Sequence, residues 1–167
     1  MQTDKNPNHK TIAMTIGATL CIIQNDGQIL LQHKSAGRFG EGKWNGTGGK
    51  IDPGETPLEA AIREVKEETS LNVSDLRLHG VLNHFFGSKD MNSWQVYIYS
   101  TCNYTGTPTS SEEGELKWFP HEEIPYHQMW QDDKHWLPIL LKGREFEGEF
   151  HFNDDGSDLQ WFRLTVK

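Results

Sequence analysis

The chain has 167 residues, a formal net charge of -8 and 35% hydrophobic residues, which predicts one domain, over residues 1–167, that is large enough to bury a core. The acidic balance excludes a partner of polymeric nucleic acid, because such proteins need a basic face to neutralise phosphates. No apolar run approaches about 18 residues and the N-terminal segment is polar, so a membrane partner is excluded, a cytoplasmic protein is expected, and residues 1–11 are expected to be flexible.

In chain order, the first predicted elements are two strands. The apolar residues 12–24 and the shorter run 29–33 flank the turn sequence NDGQ, which predicts a β-hairpin. A surface loop rich in glycine and charge is expected over residues 34–43. The stretch 49–71 then contains a loop and a helix, whose start is marked by Thr56 and Glu59 as a capping box and by Pro57 at the first helical position.

The remaining elements are mostly strands. Apolar residues alternate with polar ones, or are frequent, in the segments 76–86, 93–101 and 115–119. The turn sequence NDDG lies between the last two predicted strands, 146–152 and 159–166. A second helix is predicted over 129–141, kinked or divided at Pro138. Strands outnumber helices and the two are mixed in order, so we expect an α+β fold with a mixed β-sheet. The cysteines, Cys21 and Cys102, show no metal-ligand spacing and are interpreted as structural thiols.

The first helix carries a dense carboxylate cluster. At about 100° per residue, Leu58, Ala61, Ile62 and Val65 should bury one stripe, whereas the acidic residues form a second stripe about 100° away. These acidic residues are Glu64, Glu67 and Glu68. Like charges at this spacing repel, so they are either solvated or hold a cation, and their hard oxygens suit Mg²⁺ or Mn²⁺. For such a cluster alone, the solvated interpretation is favoured.

Fixed offsets around the cluster favour the cation. Gly48, Gly49, Gly54, Glu55 and Arg63 are spaced so that the chain resembles the Nudix hydrolase family. One position departs from that family's motif, because Ser70 stands where it has a glycine just past the helix. The resemblance implies an α/β/α sandwich with a central mixed β-sheet.

The resemblance also implies a set of metal ligands and catalytic residues. The implied ligands of Mg²⁺, or of Mn²⁺, are the Gly48 carbonyl, Glu64, Glu67, Glu68 and Glu113. The implied catalytic residues are Glu55, Arg63, Glu64, Glu67 and Glu68. Glu67 or Glu68 is the preferred general base, with Glu113 as the alternative. Arg63 is expected to orient Glu55 or a carboxylate of the cluster, and an ion pair with Glu59 or Glu67 stays open.

Four stretches, mostly outside the motif, are GRFGEGKWNGTGGK, GTPTSSEEGELKWF, MWQDDKHWLPILL and FEGEFHF. They resemble the Nudix enzymes that hydrolyse oxidised purine nucleoside triphosphates of the 8-oxo-dGTP and 2-hydroxy-dATP type to a monophosphate and pyrophosphate. The implied substrate-binding residues are Thr19, Lys34, Phe39, Asn45, Thr47, Gly48, Gly49, Lys50, His84, Trp94, Trp130, Asp132, Asp133, Trp136 and Phe152. His84 and Trp94 depart from those enzymes, which have phenylalanine and methionine there. Asp132 and Asp133 are expected to share a proton, which would let one site read different purines.

Other interpretations stay open at this point. Without the resemblance, Trp130 and Trp136 are better taken as core, and Asp132 with Asp133 as a solvated helix start. The substrate could instead be another compound linked through a nucleoside diphosphate, or the chain could be a nucleotide-binding module without turnover, although such a module should lack the carboxylates. The expected partner is a small-molecule nucleotide, and the expected state is a monomer.

Overall fold

The computed structural model describes residues 14–87 and 93–167. The expected flexible segment 1–11 and most of the predicted loop 87–92 lie outside the described residues. The strands are β1 (Thr15–Asn25), β2 (Gln28–Lys34), β3 (Trp44–Asn45), β4 (Thr47–Lys50), β5 (Asn72–Ser74), β6 (Arg77–Phe86), β7 (Ser93–Thr101), β8 (Asn103–Thr105), β9 (Gly114–Pro120), β10 (Phe146–Phe152) and β11 (Leu159–Val166). The helices are α1 (Pro57–Thr69) and α2 (Asp133–Leu141), with short 3₁₀ turns at His121–Glu123 and Tyr126–Gln128.

Nine of these strands form one mixed sheet in the order β11-β10-β6-β7-β1-β2-β3, with β4 paired to β1 and β9 paired to β2. β1 runs parallel to β7, and β6 runs parallel to β10. The other pairs of this sheet are antiparallel, including the predicted hairpins β1–β2 and β10–β11. β5 and β8 form a separate two-stranded sheet.

Each face of the large sheet carries one helix and one apolar cluster. On β1, Ile22 belongs to the cluster that includes Trp136 and Leu140 of α2. Its neighbours Cys21 and Ile23 belong to the cluster that includes Val65 of α1. Because successive strand residues point to opposite faces, the two clusters lie on opposite sides of the sheet. The predicted α+β sandwich with a central mixed sheet is confirmed.

The predicted start of α1 is confirmed, but its predicted buried stripe is partly wrong. The Thr56 hydroxyl accepts from the Glu59 backbone N–H, and the Glu59 carboxylate accepts from the Thr56 N–H. Leu58 and Ile62, however, are 43% and 39% exposed. The buried positions are Ala60, Ala61, Val65, Glu68 and Thr69. The helix is therefore rotated so that small residues and one carboxylate face the sheet.

Other expectations differ from the structure. Residues 44–50, for which no strand was predicted, pair as strands β3 and β4 with β2 and β1. α2 begins at Asp133 rather than at residue 129, and it continues through Pro138 without being divided. Cys102 is exposed, which contradicts its interpretation as a structural thiol, whereas burial raises the pKa of Cys21 to about 12. Within residues 14–87 and 93–167, the helices are too short and too polar to cross a bilayer.

Ser70 ends α1 in a conformation that glycine prefers. Its backbone has φ 67° and ψ 5°, and its N–H donates to the Lys66 carbonyl. A left-handed residue with a Cβ costs about 1 kcal/mol relative to glycine. We therefore expect Ser70→Gly to raise the free energy of unfolding by about 1 kcal/mol, measured by urea denaturation, without changing kcat.

A serine in an extended conformation provides the matched control. Ser74→Gly lies in β5, where φ is negative, and it should lower the free energy of unfolding by about 0.5 kcal/mol. Equal destabilisation by both substitutions would contradict the role assigned to Ser70.

Candidate active site

A cavity of about 520 Å³ opens between the sheet, α1 and the start of α2. One end is lined by carboxylates and glycines, and the other by aromatic rings and two aspartates. The cavity brings together these predicted residues: Thr19, Lys34, Phe39, Asn45, Gly48, Gly49, Lys50, Glu64, Glu68, His84, Trp94, Glu113, Trp130, Asp132, Asp133 and Trp136. They come from six strands, two helices and three loops, so only the tertiary fold assembles them.

The close approach of α1 to β4 depends on the two glycines of that strand. A Cβ on Gly49 would lie 2.6 Å from the Glu64 carboxylate, and a Cβ on Gly48 would lie 2.0 Å from the Thr19 carbonyl oxygen. Side chains at either position would force α1 and β1 away from β4. The glycines thus allow Glu64 and Glu68 to lie against the sheet at the end of the cavity.

Glu68 is a buried carboxylate with few partners. It is 4% exposed, it accepts from the Gly48 N–H at 3.3 Å, and the Lys34 ammonium lies 3.9 Å away. Burial raises the pKa of Glu68 to about 8, and the neighbouring Glu64 acts in the same direction. Burial also raises the pKa of Glu64, against the opposing effect of Arg63. This end of the cavity would therefore be stabilised by added positive charge.

Arg63 organises the carboxylates beside the cavity. It donates to both oxygens of Glu55 at 2.8 Å, to Glu64 at 2.8 Å and to Glu67 at 3.3 Å. The hydrogen bonds from Arg63 lower the pKa of Glu55 to about 2. Glu59 is occupied by the capping box instead. Of the alternatives left open by the sequence, the structure thus favours orientation of Glu55 and the cluster, together with the pair to Glu67.

Glu113 approaches the same end of the cavity from the loop before β9. It lies 3.8 Å from Lys34 and 2.9 Å from Arg38. Arg38 also lines the cavity, although no sequence motif singled it out. Lys34 thus lies between Glu68 and Glu113, where it balances part of their charge.

The oxygen donors at this end of the cavity are chemically suited to a hard divalent cation, but they are not grouped into a closed metal site. Among the described residues, no three His, Cys, Asp or Glu side chains are grouped to hold a metal ion. Instead, Arg63 donates to Glu64, and the Lys34 ammonium lies beside Glu68. The oxygens of Glu64, Glu68 and Glu113 around one cavity are nevertheless the donor type that Mg²⁺ and Mn²⁺ prefer.

The burial of Glu68 predicts a pH dependence of stability in the metal-free protein. The pKa of Glu68 rises from 4.5 in the unfolded chain to about 8 in the folded protein. A carboxyl whose pKa is higher in the folded state stabilises the fold fully below its unfolded-state pKa. This stabilisation is lost as the pH rises through its folded-state pKa. Relative to Glu68→Gln, wild type should lose about 1 kcal/mol or more of unfolding free energy between about pH 5 and about pH 9.

Urea denaturation in chelator would measure this difference. Glu115→Gln changes an exposed glutamate of β9 and should keep the pH dependence of wild type. A constant difference between wild type and Glu68→Gln across the range would contradict the effect assigned to burial.

Aromatic rings form the other end of the cavity. Phe39 is 63% exposed, yet its ring stacks on Trp94 and on Trp130, each with a centroid distance of 5.3 Å. Phe86 contacts Phe39 and Trp130 edge to face. These flat surfaces suit a planar aromatic ligand, because stacked and edge-on contacts of such rings are attractive.

Asp132 and Asp133 lie at the same end and are each 3% exposed, so they are not a solvated helix start. Asp132 Oδ2 is 2.8 Å from His84 Nε2 and accepts from Trp136 Nε1 at 3.1 Å. Burial, and then the charge of Asp132, raise the pKa of Asp133 well above its usual range. Asp133 Oδ2, His84 Nδ1 and Thr19 Oγ1 are buried without hydrogen-bond partners in the described part of the chain. Such atoms lining one cavity are available to bind a polar ligand.

Several predicted residues lie outside the cavity lining. They are Thr47, Glu55, Arg63, Glu67 and Phe152. Phe152 supports the pocket from behind, with its ring 5.9 Å from that of Trp130, and Glu67 lies on the open side of α1. Phe86 also lines the cavity and was not predicted, although the period-2 alternation from His84 along β6 could have identified it.

Known proteins and structures are similar to this chain over most of its length. A family model described as NUDIX domain matches residues 14–140. An "Oxidized purine nucleoside triphosphate hydrolase" of Mus musculus is 40% identical over 86% of this chain and 90% of that protein. The protein of the same name from Danio rerio is 42% identical over 80% of this chain and 85% of its own length. A crystal structure of a MutT protein from Bacillus halodurans superposes with a TM-score of 0.81 at 29% identity, covering 89% of this chain and 97% of that one.

Proposed function

The chain belongs to the Nudix family, and from that premise we propose that it hydrolyses oxidised purine nucleoside triphosphates to the monophosphate and pyrophosphate. The two vertebrate relatives carry that activity in their names and share 40% and 42% of aligned residues with this chain. Such hydrolysis would remove damaged nucleotides before a polymerase could use them. A cytoplasmic location and a monomeric state stay predictions.

A single observation supports this proposal most strongly. One cavity of about 520 Å³ connects Glu64 and Glu68 at one end with Trp130, Asp132 and Asp133 at the other. A nucleoside triphosphate is divided in the same way. Its base offers a flat face and polar edges to the aromatic end, and its phosphates need positive charge, which cations bound by the carboxylates would supply. The carboxylates are retained, so a binding module without turnover is the weaker interpretation.

The proposed metal ligands are Glu64, Glu67, Glu68, Glu113 and the carbonyl of Gly48. Divalent cations, with Mg²⁺ as the proposed ion and Mn²⁺ as the alternative, would neutralise phosphate charge and lower the pKa of a bound water. They would also reduce the repulsion between a polyphosphate and a chain of net charge -8.

The residues of the chain perform the remaining steps of the proposed reaction. The negative charge of the triphosphate is partly neutralised by three cationic residues that line the cavity, Lys34, Arg38 and Lys50. Glu67 or Glu68 accepts the proton of the attacking water, and Glu113 is the alternative base. The water oxygen bonds to phosphorus as the α–β phosphoanhydride bond breaks. Arg63 holds Glu55 and Glu64 in place by the hydrogen bonds described above, without contacting substrate.

Product analysis tests the reaction type. We expect 8-oxo-dGTP, or its 2-hydroxy-dATP counterpart, to give equal amounts of monophosphate and pyrophosphate when Mg²⁺ is present. In ¹⁸O-labelled water, one label should enter one of these two products, which identifies the phosphorus that is attacked. Release of orthophosphate with a nucleoside diphosphate would contradict the proposal, and so would binding without turnover.

A further inference from the structure

The contact between His84 and Asp132 distinguishes the two aspartates of the pocket. His84 comes from β6, and its Nε2 lies 2.8 Å from Asp132 Oδ2. Trp136 donates to the same oxygen. With its proton on Nε2, the imidazole donates to Asp132 as Trp136 does. Asp132 then accepts from two N–H donors that come from different elements.

One oxygen of Asp133 lacks such a donor, which suits Asp133 for the other role. Its Oδ2 is buried without a hydrogen-bond partner in the described part of the chain. Two adjacent buried carboxyls cannot both ionise cheaply, so the proton stays on Asp133 once Asp132 is ionised. Other charged or titratable groups that interact with the pair are Lys43 and Tyr126, beside Asp133, and His135, beside Asp132. Of the described side chains, only His84 lies within ion-pairing distance of Asp132.

Two oxidised purines present opposite hydrogen-bonding edges to such a pair. Read from C6 to C2, the edge of 8-oxoguanine is an acceptor followed by two donors. The keto form of 2-hydroxyadenine reads as two donors followed by an acceptor. When the phosphates fix the direction of the nucleotide, the second edge fits only if donor and acceptor carboxyls exchange roles.

We propose that His84 is a specificity-determining residue, because its contact with Asp132 fixes one carboxyl as the acceptor and the other as the donor. The pocket of this chain therefore accepts one order of donors and acceptors and rejects the reverse order. A shared proton that moves between the aspartates, as expected from the sequence alone, would instead admit both purines. This inference rests on the proposed function, since it concerns the base that the same cavity would bind.

Three variants separate the effect of the N–H donor from that of the ring. His84→Phe keeps a ring without a donor, whereas His84→Gln keeps an N–H at a similar distance from the backbone. His151→Phe is the matched control, because His151 lies on β10 and stacks on Phe85, whose side chain points to the opposite face of β6 from that of His84. The readout is the ratio of kcat/KM for 8-oxo-dGTP to that for 2-hydroxy-dATP, with Kd of the two monophosphates measured by calorimetry.

Wild type should favour one of the two nucleotides by about a hundredfold. His84→Phe should bring the ratio at least about tenfold closer to one, whereas His84→Gln and His151→Phe should stay within about threefold of wild type. A loss of structure alone would lower both efficiencies alike and leave the ratio unchanged. Equal efficiencies in wild type, or an unchanged ratio in His84→Phe, would overturn the inference while the proposed function stands.

Failure of the proposed function gives a different result. If wild type hydrolyses neither nucleotide, that function is wrong, and the ratio of Kd values for the monophosphates still tests His84. Equal Kd values, or no binding of either monophosphate, would then overturn the role of His84 as well.

Discussion

Replacing Glu68 with glutamine should lower kcat for nucleoside triphosphate hydrolysis by about a hundredfold or more. Glu68 is the most buried carboxylate of α1 and lies at the cavity end between Gly48 and Lys34. A neutral amide of the same shape neither accepts the proton of water nor binds a divalent cation well. Steady-state kinetics at saturating Mg²⁺ would measure the effect, and circular dichroism would check the fold.

Two further variants define the specificity of this result. Glu67→Gln should lower kcat by at least about tenfold, since Glu67 is the other proposed base. Glu115→Gln, an exposed change on β9, should leave kcat unchanged. Full turnover by both Glu67→Gln and Glu68→Gln, or full turnover of wild type in excess chelator, would remove the metal-dependent mechanism.

Asp133→Ala should raise KM for the preferred oxidised nucleotide by at least about tenfold, with a smaller effect on kcat. Asp133 is almost fully buried, and its Oδ2 has no hydrogen-bond partner in the described part of the chain. In the neutral form that burial favours, it would donate to the base, and alanine removes that donor. Substrate titrations at constant Mg²⁺ would separate KM from kcat.

An isosteric variant tests whether donation is the property that matters. Asp133→Asn keeps an N–H donor and a similar volume, so its KM should lie closer to that of wild type. Asp154→Ala removes an exposed aspartate from the turn after β10 and should have no effect. If Asp133→Ala left KM unchanged, the aspartate pair would not contact the base.

The elements that the sequence predicted well are those set by local interactions. The start of α1 follows from the capping box and Pro57, whose contacts span only a few residues. The β1–β2 hairpin follows from Asp26 and Gly27, which both have positive φ as such turns require. These signals act within one turn, so they do not depend on the rest of the fold.

Burial was predicted less well because it depends on distant partners. Leu58 and Ile62 are exposed, since α1 turns its small residues and Glu68 toward the glycines of β4. β4 itself was not predicted, because the sequence Thr-Gly-Gly-Lys has a weak strand propensity and gains its structure from pairing with β1.

In the candidate site, too, local signals were informative and long-range contacts were not predicted. Motif spacing and family resemblance identified its residues, but their contacts come from the fold. His84 and Asp132 are 48 residues apart, and no sequence pattern links them. Likewise, Phe39 lies on an exposed loop as predicted, but the stacking of its ring on Trp94 and on Trp130 comes from the fold.

The most direct test of the central claim compares kcat/KM for oxidised nucleotides with that for their parents under the same conditions. The panel is 8-oxo-dGTP with dGTP and 2-hydroxy-dATP with dATP, assayed by pyrophosphate release in Mg²⁺. We expect at least one oxidised nucleotide to be hydrolysed about tenfold or more efficiently than its parent, because oxidation changes which edge atoms donate and accept. Equal efficiencies within both pairs would contradict the assignment and indicate a Nudix hydrolase with another substrate.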